Sequence, residues 1–297
     1  MYKRVLVPLD GSKLAEDILP LAECVSRGFN IPLHLLTVIQ QDAVAAISTA
    51  GPDTRKKAAQ KAQDYLHVVS ERVSRRIGPA HVQMSVQIAK VADAIVQEAE
   101  SVPETLIALS SHGRSGLTRM VLGSVADKVL HSTQAPVFLY APREDIPVRQ
   151  AEDLNTIIVP LDGSALAEQA LPHAAALAKA LQLRMVLVRV TSTLVDLAAD
   201  GFYEVTQVLI DALEQEAIDY LDQQVSTLQQ QGLKEVDRRH LTGSASRKII
   251  DVARETPHSF IAMCTHGRSG VQRWTLGSVA DHVVSHVALP VLVIRAA

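Results

Sequence analysis

A glycine-rich stretch occurs twice in the chain and has the residue types of an anion-binding loop. HGRSGLTRMVLGSVAD at 112–127 recurs as HGRSGVQRWTLGSVAD at 266–281, with twelve of the sixteen positions identical. Glycines let backbone N–H groups approach a ligand closely, and the arginine adds a cationic donor. Gly123 and Ser124 precede an apolar-periodic helix, whose N-terminus favours anions. The stretch therefore predicts a phosphate site. Its loop residues are Gly113, Arg114 and Gly116, and in the second copy Gly267, Arg268 and Gly270.

The end of this stretch also has an ordinary interpretation as a helix start. Ser124 to Asp127, and Ser278 to Asp281, have the spacing of a capping box, with serine as the N-cap and a carboxylate three residues later. Capping does not account for HGRSG. The stretch matches neither a P-loop nor a dinucleotide-binding fingerprint. Spacing alone therefore leaves capping and phosphate binding open.

The repeated stretch belongs to a larger duplication. VPLDGS at 7–12 recurs at 159–164, and other matches follow in the same order along both halves. A repeat that spans half of the chain indicates a duplicated domain, because solenoid units are much shorter. The segment 141–155 is charged, contains two prolines and lacks apolar periodicity, which is typical of a linker. We therefore expect two domains, 1–143 and 154–297.

Each half alternates short apolar runs with helical patterns. In the first half the predicted strands are 4–9, 33–39, 81–89, 105–111 and 136–140. The first helix is predicted to begin after Ser12 as its N-cap and to continue through Pro20 with a kink, which Pro172 repeats. This order predicts an α/β fold with a Rossmann-like, doubly wound, five-stranded parallel sheet in each domain. Ligands bind such sheets beyond the carboxyl ends of the strands, where the strand order reverses.

The composition excludes several classes of function. A net charge of -3 and an aromatic content of 3% argue against a nucleic-acid-binding protein. No apolar run is long enough to span a membrane, and the first residues lack the pattern of a signal peptide. Cys24 and Cys264 are far apart, which fits a reducing compartment, and Cys264 is predicted to be an inert core thiol. We therefore expect a soluble cytoplasmic protein without membrane partners.

The chain resembles a tandem universal stress protein, with one domain of that family in each half. Nucleotide-binding members of the family carry G-x2-G-x9-G-[ST]. Gly113, nine further residues and Gly123-Ser124 match the last three elements, as do Gly267 and Gly277-Ser278. The resemblance covers nearly all of both halves except the linker. It implies ATP bound at the switch point of each sheet, with Mg²⁺ on the phosphates.

Specific roles follow from the same resemblance. Asp10 and Asp162 would accept hydrogen bonds from the adenosine, Val38 and Val190 would contact the base, and the glycines with the following serine would hold the phosphates. The implied nucleotide-binding residues are Pro8, Asp10, Val38, Gly113, Arg114, Gly116, Gly123, Ser124 and Val125 in the first half, and Pro160, Asp162, Val190, Gly267, Arg268, Gly270, Gly277, Ser278 and Val279 in the second.

The sequence departs from the family pattern in two places. The first glycine of the motif is Ser110 in one half and Cys264 in the other. A glycine often found before the penultimate helix is Gly243 in the second half but Ala89 in the first. Ser110 and Cys264 each add a side chain where the backbone should approach the ligand closely. From these departures together we expect one site to be weaker or empty.

Two classes of function follow. One is an ATP-binding stress-response module that acts as a nucleotide-dependent switch or sensor, and the other is a dimerisation scaffold with the same fold and no nucleotide. No general base or water-positioning group is evident in the sequence, so we expect at most a slow ATPase. His282 and His286 lie on one helix without a third metal ligand nearby in sequence, so no metal site is predicted. The family's use of its final strand implies pairing of the two domains and a homodimer.

Overall fold

The computed structural model divides the chain into two compact units, Met1–Asp153 and Leu154–Ala297. We call them the first and the second domain. The structure describes residues 1–41, 52–111, 122–140, 153–191, 203–266 and 276–295, without the side chains of 52–55 and 203–207. Each domain is an α/β unit built on five parallel strands, which confirms the predicted fold class.

The first domain has the strand order β3-β2-β1-β4-β5. Its strands are β1 (Arg4–Pro8), β2 (Leu33–Gln40), β3 (Val82–Ala89), β4 (Thr105–Ser110) and β5 (Val137–Tyr140). Its helices are α1 (Lys13–Glu16), α2 (Leu19–Phe29), α3 (Pro52–Ile77), α4 (Val91–Glu100) and α5 (Ser124–Ser132), with a 3₁₀ turn at Pro79–His81. The helices α2 and α3 contact one another, and so do α4 and α5. This pairing is that of a doubly wound sheet with helices on both faces.

The second domain repeats this arrangement in the order β8-β7-β6-β9-β10. Its strands are β6 (Thr156–Pro160), β7 (Arg184–Thr191), β8 (Val236–Thr242), β9 (Ser259–Cys264) and β10 (Val291–Ile294). Its helices are α6 (Ala165–Glu168), α7 (Ala170–Leu181), α8 (Tyr203–Gln230), α9 (Ala245–Glu255) and α10 (Ser278–His286). In both domains the order reverses beside the first strand, between β1 and β4 and between β6 and β9.

The central strands form the core of each domain. Val5, Leu6 and Val7 of β1 are fully buried, as are Ile157 and Ile158 of β6. Strands covered by helices on both faces are apolar at successive positions, because neither face meets water. The sheet edge at the carboxyl ends of these strands carries the polar residues that follow them.

The prediction of one kinked helix after the first strand is wrong. The structure has two helices instead, α1 ending at Glu16 and α2 beginning at Leu19. Pro20 lies in the first turn of α2, and Pro172 lies in the first turn of α7. A proline there sacrifices no helical hydrogen bond, because the first N–H groups of a helix have no intrahelical partner.

No helix in the described part of the chain is both long enough and apolar enough to cross a bilayer.

Candidate functional site

A cavity of about 720 Å³ lies at the carboxyl ends of β1, β2 and β4 in the first domain. This is where the strand order reverses, the position at which open α/β sheets bind ligands. Its volume lies within the range of about 300–1,000 Å³ that is usual for small-molecule sites. Six predicted site residues line it, namely Pro8, Asp10, Val38, Gly123, Ser124 and Val125.

The turn after β1 fixes a carboxylate at the cavity. Asp10 Oδ1 accepts hydrogen bonds from the Ser12 N–H at 2.9 Å and from the Ser12 hydroxyl at 2.6 Å. The Ser12 hydroxyl oxygen in turn accepts from the Ala15 N–H at 3.1 Å, so Ser12 is the N-cap of α1, as predicted. Gly11 lies between Asp10 and Ser12 with a φ of 86°, a value that favours glycine. The turn therefore holds an acceptor in a set orientation beside the cavity.

The start of α5 is tied to the end of β4. The Gly123 N–H donates to the Ser111 carbonyl at 2.9 Å, and Gly123 is the N-cap of α5. The prediction that Ser124 caps this helix is wrong, because Ser124 already lies inside the first turn and no side chain caps the helix. Gly277 has the same role before α10, so the second capping box, at Ser278, is wrong too. The first-turn N–H groups of α5 therefore face the cavity without a side-chain cap.

Close approach explains the glycine at the helix start. In the second domain the Gly277 N–H donates to the Thr265 carbonyl at 2.8 Å, and a Cβ added to Gly277 would lie 2.9 Å from that oxygen. Such a contact is shorter than van der Waals packing permits, so any side chain here would push the helix start away from the strand. The Gly123 N–H makes the matching hydrogen bond with the Ser111 carbonyl in the first domain.

Two hydroxyl groups in the cavity wall lack partners. Thr37 Oγ1 and Ser110 Oγ are buried, and neither makes a hydrogen bond with any residue that the structure describes. A buried polar group without a partner costs about 1–3 kcal/mol. A buried hydroxyl without a partner therefore calls for an explanation, and a bound water, ion or ligand that completes the bonding is one. Ser110 is also the residue that replaces the first glycine of the family motif.

The helix α3 supplies cavity residues that sequence reasoning missed. Ala58, Lys61, Ala62 and Tyr65 line the cavity from one face of this helix. Their helical spacing was the available signal, since residues three and four apart share a face. Lys61 makes no ion pair with any residue that the structure describes, so its ammonium is an available positive charge at the cavity wall.

Tyr65 is fixed by a hydrogen bond to the helix α1. Its hydroxyl donates to Glu16 Oε1 at 3.0 Å, and Arg72 pairs with the other oxygen of the same carboxylate. Burial, and secondly the charge of Glu16, raises the pKa of Tyr65 well above its usual value. The phenol therefore stays protonated and acts as a donor that holds this part of the cavity wall in place.

The second domain repeats the turn and the helix start but differs in the wall. Asp162 Oδ1 accepts from the Ser164 N–H at 2.9 Å and from its hydroxyl at 2.6 Å, as Asp10 does from Ser12. Pro160 ends β6, Val190 is the penultimate residue of β7, and Ser278 and Val279 open α10. The Tyr220 hydroxyl donates to Glu168 Oε1 at 2.9 Å, which repeats the Tyr65–Glu16 bond.

At the position of Thr37 the second domain has an arginine. Arg189 is only 4% exposed, and its Nη2 lies 3.2 Å from Glu216 Oε1. Its guanidinium carbon lies 4.9 Å from the centroid of the Tyr220 ring, within the range of a cation–π contact. The hydroxyl of the first domain is thus replaced by a paired and stacked cation.

Cys264 is buried, as predicted. Burial raises the pKa of its thiol to about 12, so the thiol is protonated at neutral pH and is a poor nucleophile. Its Sγ lies 3.7 Å from the Ala167 carbonyl oxygen.

The remaining predicted site residues belong to the glycine-rich loops. Gly113, Arg114, Gly116, Gly267, Arg268 and Gly270 lie outside the described residues, and their roles stay predictions.

Fold and cavity together define a class of protein: a duplicated, doubly wound α/β domain with a ligand cavity at the switch point of the first copy. The model of the Universal stress protein family matches residues 1–141 and again 154–295. The chain therefore belongs to the universal stress protein family and contains two domains of it.

Individual relatives agree with this assignment. The chain is 30% identical to a universal stress protein of Methanocaldococcus jannaschii over 151 residues, which are 50% of this chain and 86% of that protein. It is 33% identical to one of Mycobacterium bovis over 140 residues, 46% of this chain and 44% of that protein. The crystal structure of a universal stress protein from Archaeoglobus fulgidus has the same fold, with a TM-score of 0.66, 20% identity and 98% coverage of both chains.

Proposed function

We propose that the protein is an ATP-binding module of the stress response, and that the nucleotide binds in the cavity of the first domain. The observation that carries this proposal is the cavity itself. It lies at the switch point of the sheet, and the unpartnered hydroxyls of Thr37 and Ser110 line it. An apolar ligand would leave both hydroxyls unsatisfied, whereas a nucleotide offers donors and acceptors along its whole length.

The helix start and Lys61 suit the phosphates. The first turn of α5 offers N–H groups without a side-chain cap and the positive end of the helix dipole. Lys61, on α3, adds a positive charge that no carboxylate neutralises among the described residues. These groups would bind the polyphosphate, and Mg²⁺ would be held mainly by phosphate oxygens and water.

Other lining residues of the cavity suit the nucleoside. Asp10 presents a carboxylate in an orientation fixed by Ser12, and a ribose hydroxyl is a matching donor. Apolar side chains of β2 and α4, among them Val38 and Ile95, offer a surface for the base. The cavity wall thus combines charged and apolar groups, as a nucleotide does.

We infer a binding function with at most slow hydrolysis. Among the described residues that line the cavity, Asp10 carries the one carboxylate, and the ribose hydroxyl would occupy it, so none is left there to act as a general base. Nucleotide occupancy would then act as a switch by stabilising one conformation of the domain. The alternative, a scaffold without nucleotide, is the outcome of the same experiment if binding fails.

The test is to denature the purified chain, identify the released small molecules by chromatography, and titrate the emptied protein with ATP and Mg²⁺. We expect an adenine nucleotide in the supernatant, or saturable binding with a rise of the melting temperature. CTP serves as the control for base recognition, and inorganic triphosphate as the control for the phosphates alone. Neither release, nor binding, nor stabilisation at millimolar ATP would overturn the proposal in favour of the scaffold.

A further inference from the structure

We propose that Arg189 closes the second domain to nucleotide, so that the chain binds one nucleotide rather than two. This inference rests on the function proposed for the first domain. Its basis is a pair of substitutions between the two halves, Thr37 to Arg189 and Lys61 to Glu216, at positions that line the cavity in the first domain.

The sheet register makes Arg189 the counterpart of Thr37. Pro8 of β1 is level with Leu36 of β2, and Pro160 of β6 is level with Val188 of β7. The residue after each of these β2 and β7 positions is therefore equivalent, namely Thr37 and Arg189. The equivalence is one of backbone geometry as well as of sequence.

The helix contacts make Glu216 the counterpart of Lys61. Tyr65 and Tyr220 each donate a hydroxyl hydrogen bond to the glutamate of the preceding short helix, at 3.0 Å and 2.9 Å. These matching bonds align α3 with α8. Lys61 and Glu216 both lie one helical turn before the tyrosine, so they share a position on the helix face.

The side chain of Arg189 bridges the two walls that bound the cavity in the first domain. There, Thr37 on the strand and Tyr65 on the helix both line open space. In the second domain the guanidinium extends from the strand to within 4.9 Å of the Tyr220 ring centre, and Arg189 is 4% exposed. The longer side chain therefore occupies the space next to the tyrosine that a ligand would need.

Charge acts in the same direction as volume. Lys61 offers the first domain a cation for phosphate oxygens, whereas Glu216 offers the second domain a carboxylate, which repels them. The Glu216 carboxylate instead pairs with Arg189 at 3.2 Å. A nucleotide would have to displace the guanidinium from its ring and its carboxylate, and would then meet the freed negative charge.

The experiment is to measure the stoichiometry of Mg·ATP on the full chain by isothermal titration calorimetry. We expect one site per wild-type chain. The double substitution Arg189→Thr with Glu216→Lys, which installs the first-domain pair, should raise the number to two. The reciprocal double substitution, Thr37→Arg with Lys61→Glu, should lower it to none. Melting temperatures in the absence of ligand identify any variant that has lost its fold, and the single substitution Arg189→Gln then replaces the first double variant.

Each result has a definite meaning. Two sites on the wild-type chain would overturn the inference and leave the proposed function intact. One wild-type site that survives in the Thr37→Arg, Lys61→Glu variant would place the nucleotide elsewhere and overturn it as well. A folded Arg189→Thr, Glu216→Lys chain that still binds a single nucleotide would show that Arg189 is not what closes the domain. Absence of wild-type binding would overturn the proposed function, and this inference with it.

Discussion

The two domains share a backbone plan but fill two of its interior positions differently. Beside the switch point the first domain has an open cavity with Thr37 and Lys61, where the second has the Arg189–Glu216 pair. Elsewhere inside the sheet it is the first domain that contains buried charged side chains, and the second domain has uncharged residues at the equivalent positions. The two domains have the same turns and helix starts, whereas the polar groups next to the sheet differ.

The buried cluster of the first domain centres on Arg4, which is 5% exposed. Its Nη1 lies 3.0 Å from Glu98 Oε1 and 3.2 Å from His34 Nδ1, and its Nε donates to Thr105 Oγ1 at 2.9 Å. The equivalent residues of the second domain, Thr156, Val186 and Val252, are buried without a charge among them. Equivalent interior positions are thus charged in the first domain and uncharged in the second.

The largest expected effect is on the stability of the first domain. Glu98→Val removes the carboxylate and leaves Arg4 as an uncompensated buried charge, which should lower the free energy of unfolding by about 3–5 kcal/mol. The triple substitution Arg4→Thr, His34→Val and Glu98→Val copies the second domain and should recover most of that loss. Urea unfolding of the full chain measures both. A triple variant no more stable than Glu98→Val would show that the two interiors are not interchangeable.

The next effect separates the two helix starts by function. Gly123→Ala should push α5 away from β4 and weaken ATP binding about 100-fold, which corresponds to about 2.7 kcal/mol. Gly277→Ala places its Cβ 2.9 Å from the Thr265 carbonyl oxygen. It should lower the melting temperature of the chain, as Gly123→Ala does, but leave the ATP affinity unchanged. Calorimetric titration and thermal melting of both variants test this. Equal losses of affinity would mean that both domains bind nucleotide.

A smaller effect concerns the two tyrosines. Tyr65→Phe and Tyr220→Phe each delete one hydrogen bond to a glutamate, and each should lower the free energy of unfolding by about 1 kcal/mol. Because Tyr65 lines the cavity, only Tyr65→Phe should also weaken ATP binding, by up to about tenfold. Loss of affinity in Tyr220→Phe alone would reverse the assignment of the two domains.

The smallest effect is on the pH dependence of stability. Burial, opposed by Glu98 and reinforced by Arg4, lowers the pKa of His34. Its Nδ1 accepts from Arg4 at 3.2 Å, so protonation there would set two donors against each other. Since the unfolded chain takes up a proton near pH 6.5 and the folded chain does not, stability should fall as the pH drops below about 6.5, by at most about 1.4 kcal/mol per pH unit.

His34→Val is the variant that isolates this effect. The pKa of His173 in the second domain is lowered by burial too, so the informative quantity is the difference between wild type and variant. The difference in melting temperature between His34→Val and the wild type should shift in favour of the variant between pH 7.5 and pH 5.5. An unchanged difference would mean that His34 takes up a proton in the folded state without penalty.

The sequence predicted what depends on local patterns. The alternation of apolar runs and helices gave the parallel sheets, and the Asp-Gly-Ser turn gave the N-cap at Ser12, because both follow from spacing along the chain. The repeated motif placed Gly123 and Ser124 at the switch point, where the cavity lies. The order of strands and helices was therefore enough to predict that the residues after β1 and β4 lie at the switch point.

The misses have physical causes. The capping box failed because the N-cap depends on backbone angles, and Gly123 adopts the extended ones, which put Ser124 inside the helix. The roles of Lys61 and Tyr65 depend on how α3 packs over the sheet, which no local pattern specifies. The contacts of Arg189 could not be predicted from its own strand. Its partners, the Tyr220 ring and the Glu216 carboxylate, lie on α8, far along the chain.

The most direct test of the account is photoaffinity labelling of the full chain with 8-azido-ATP, followed by peptide mapping. We expect ATP-protected label on peptides within Met1–Asp153, from the strand ends or α4, and no protected label on peptides of Leu154–Ala297. Protected label of equal amount in both domains, or label that ATP does not displace, would contradict it.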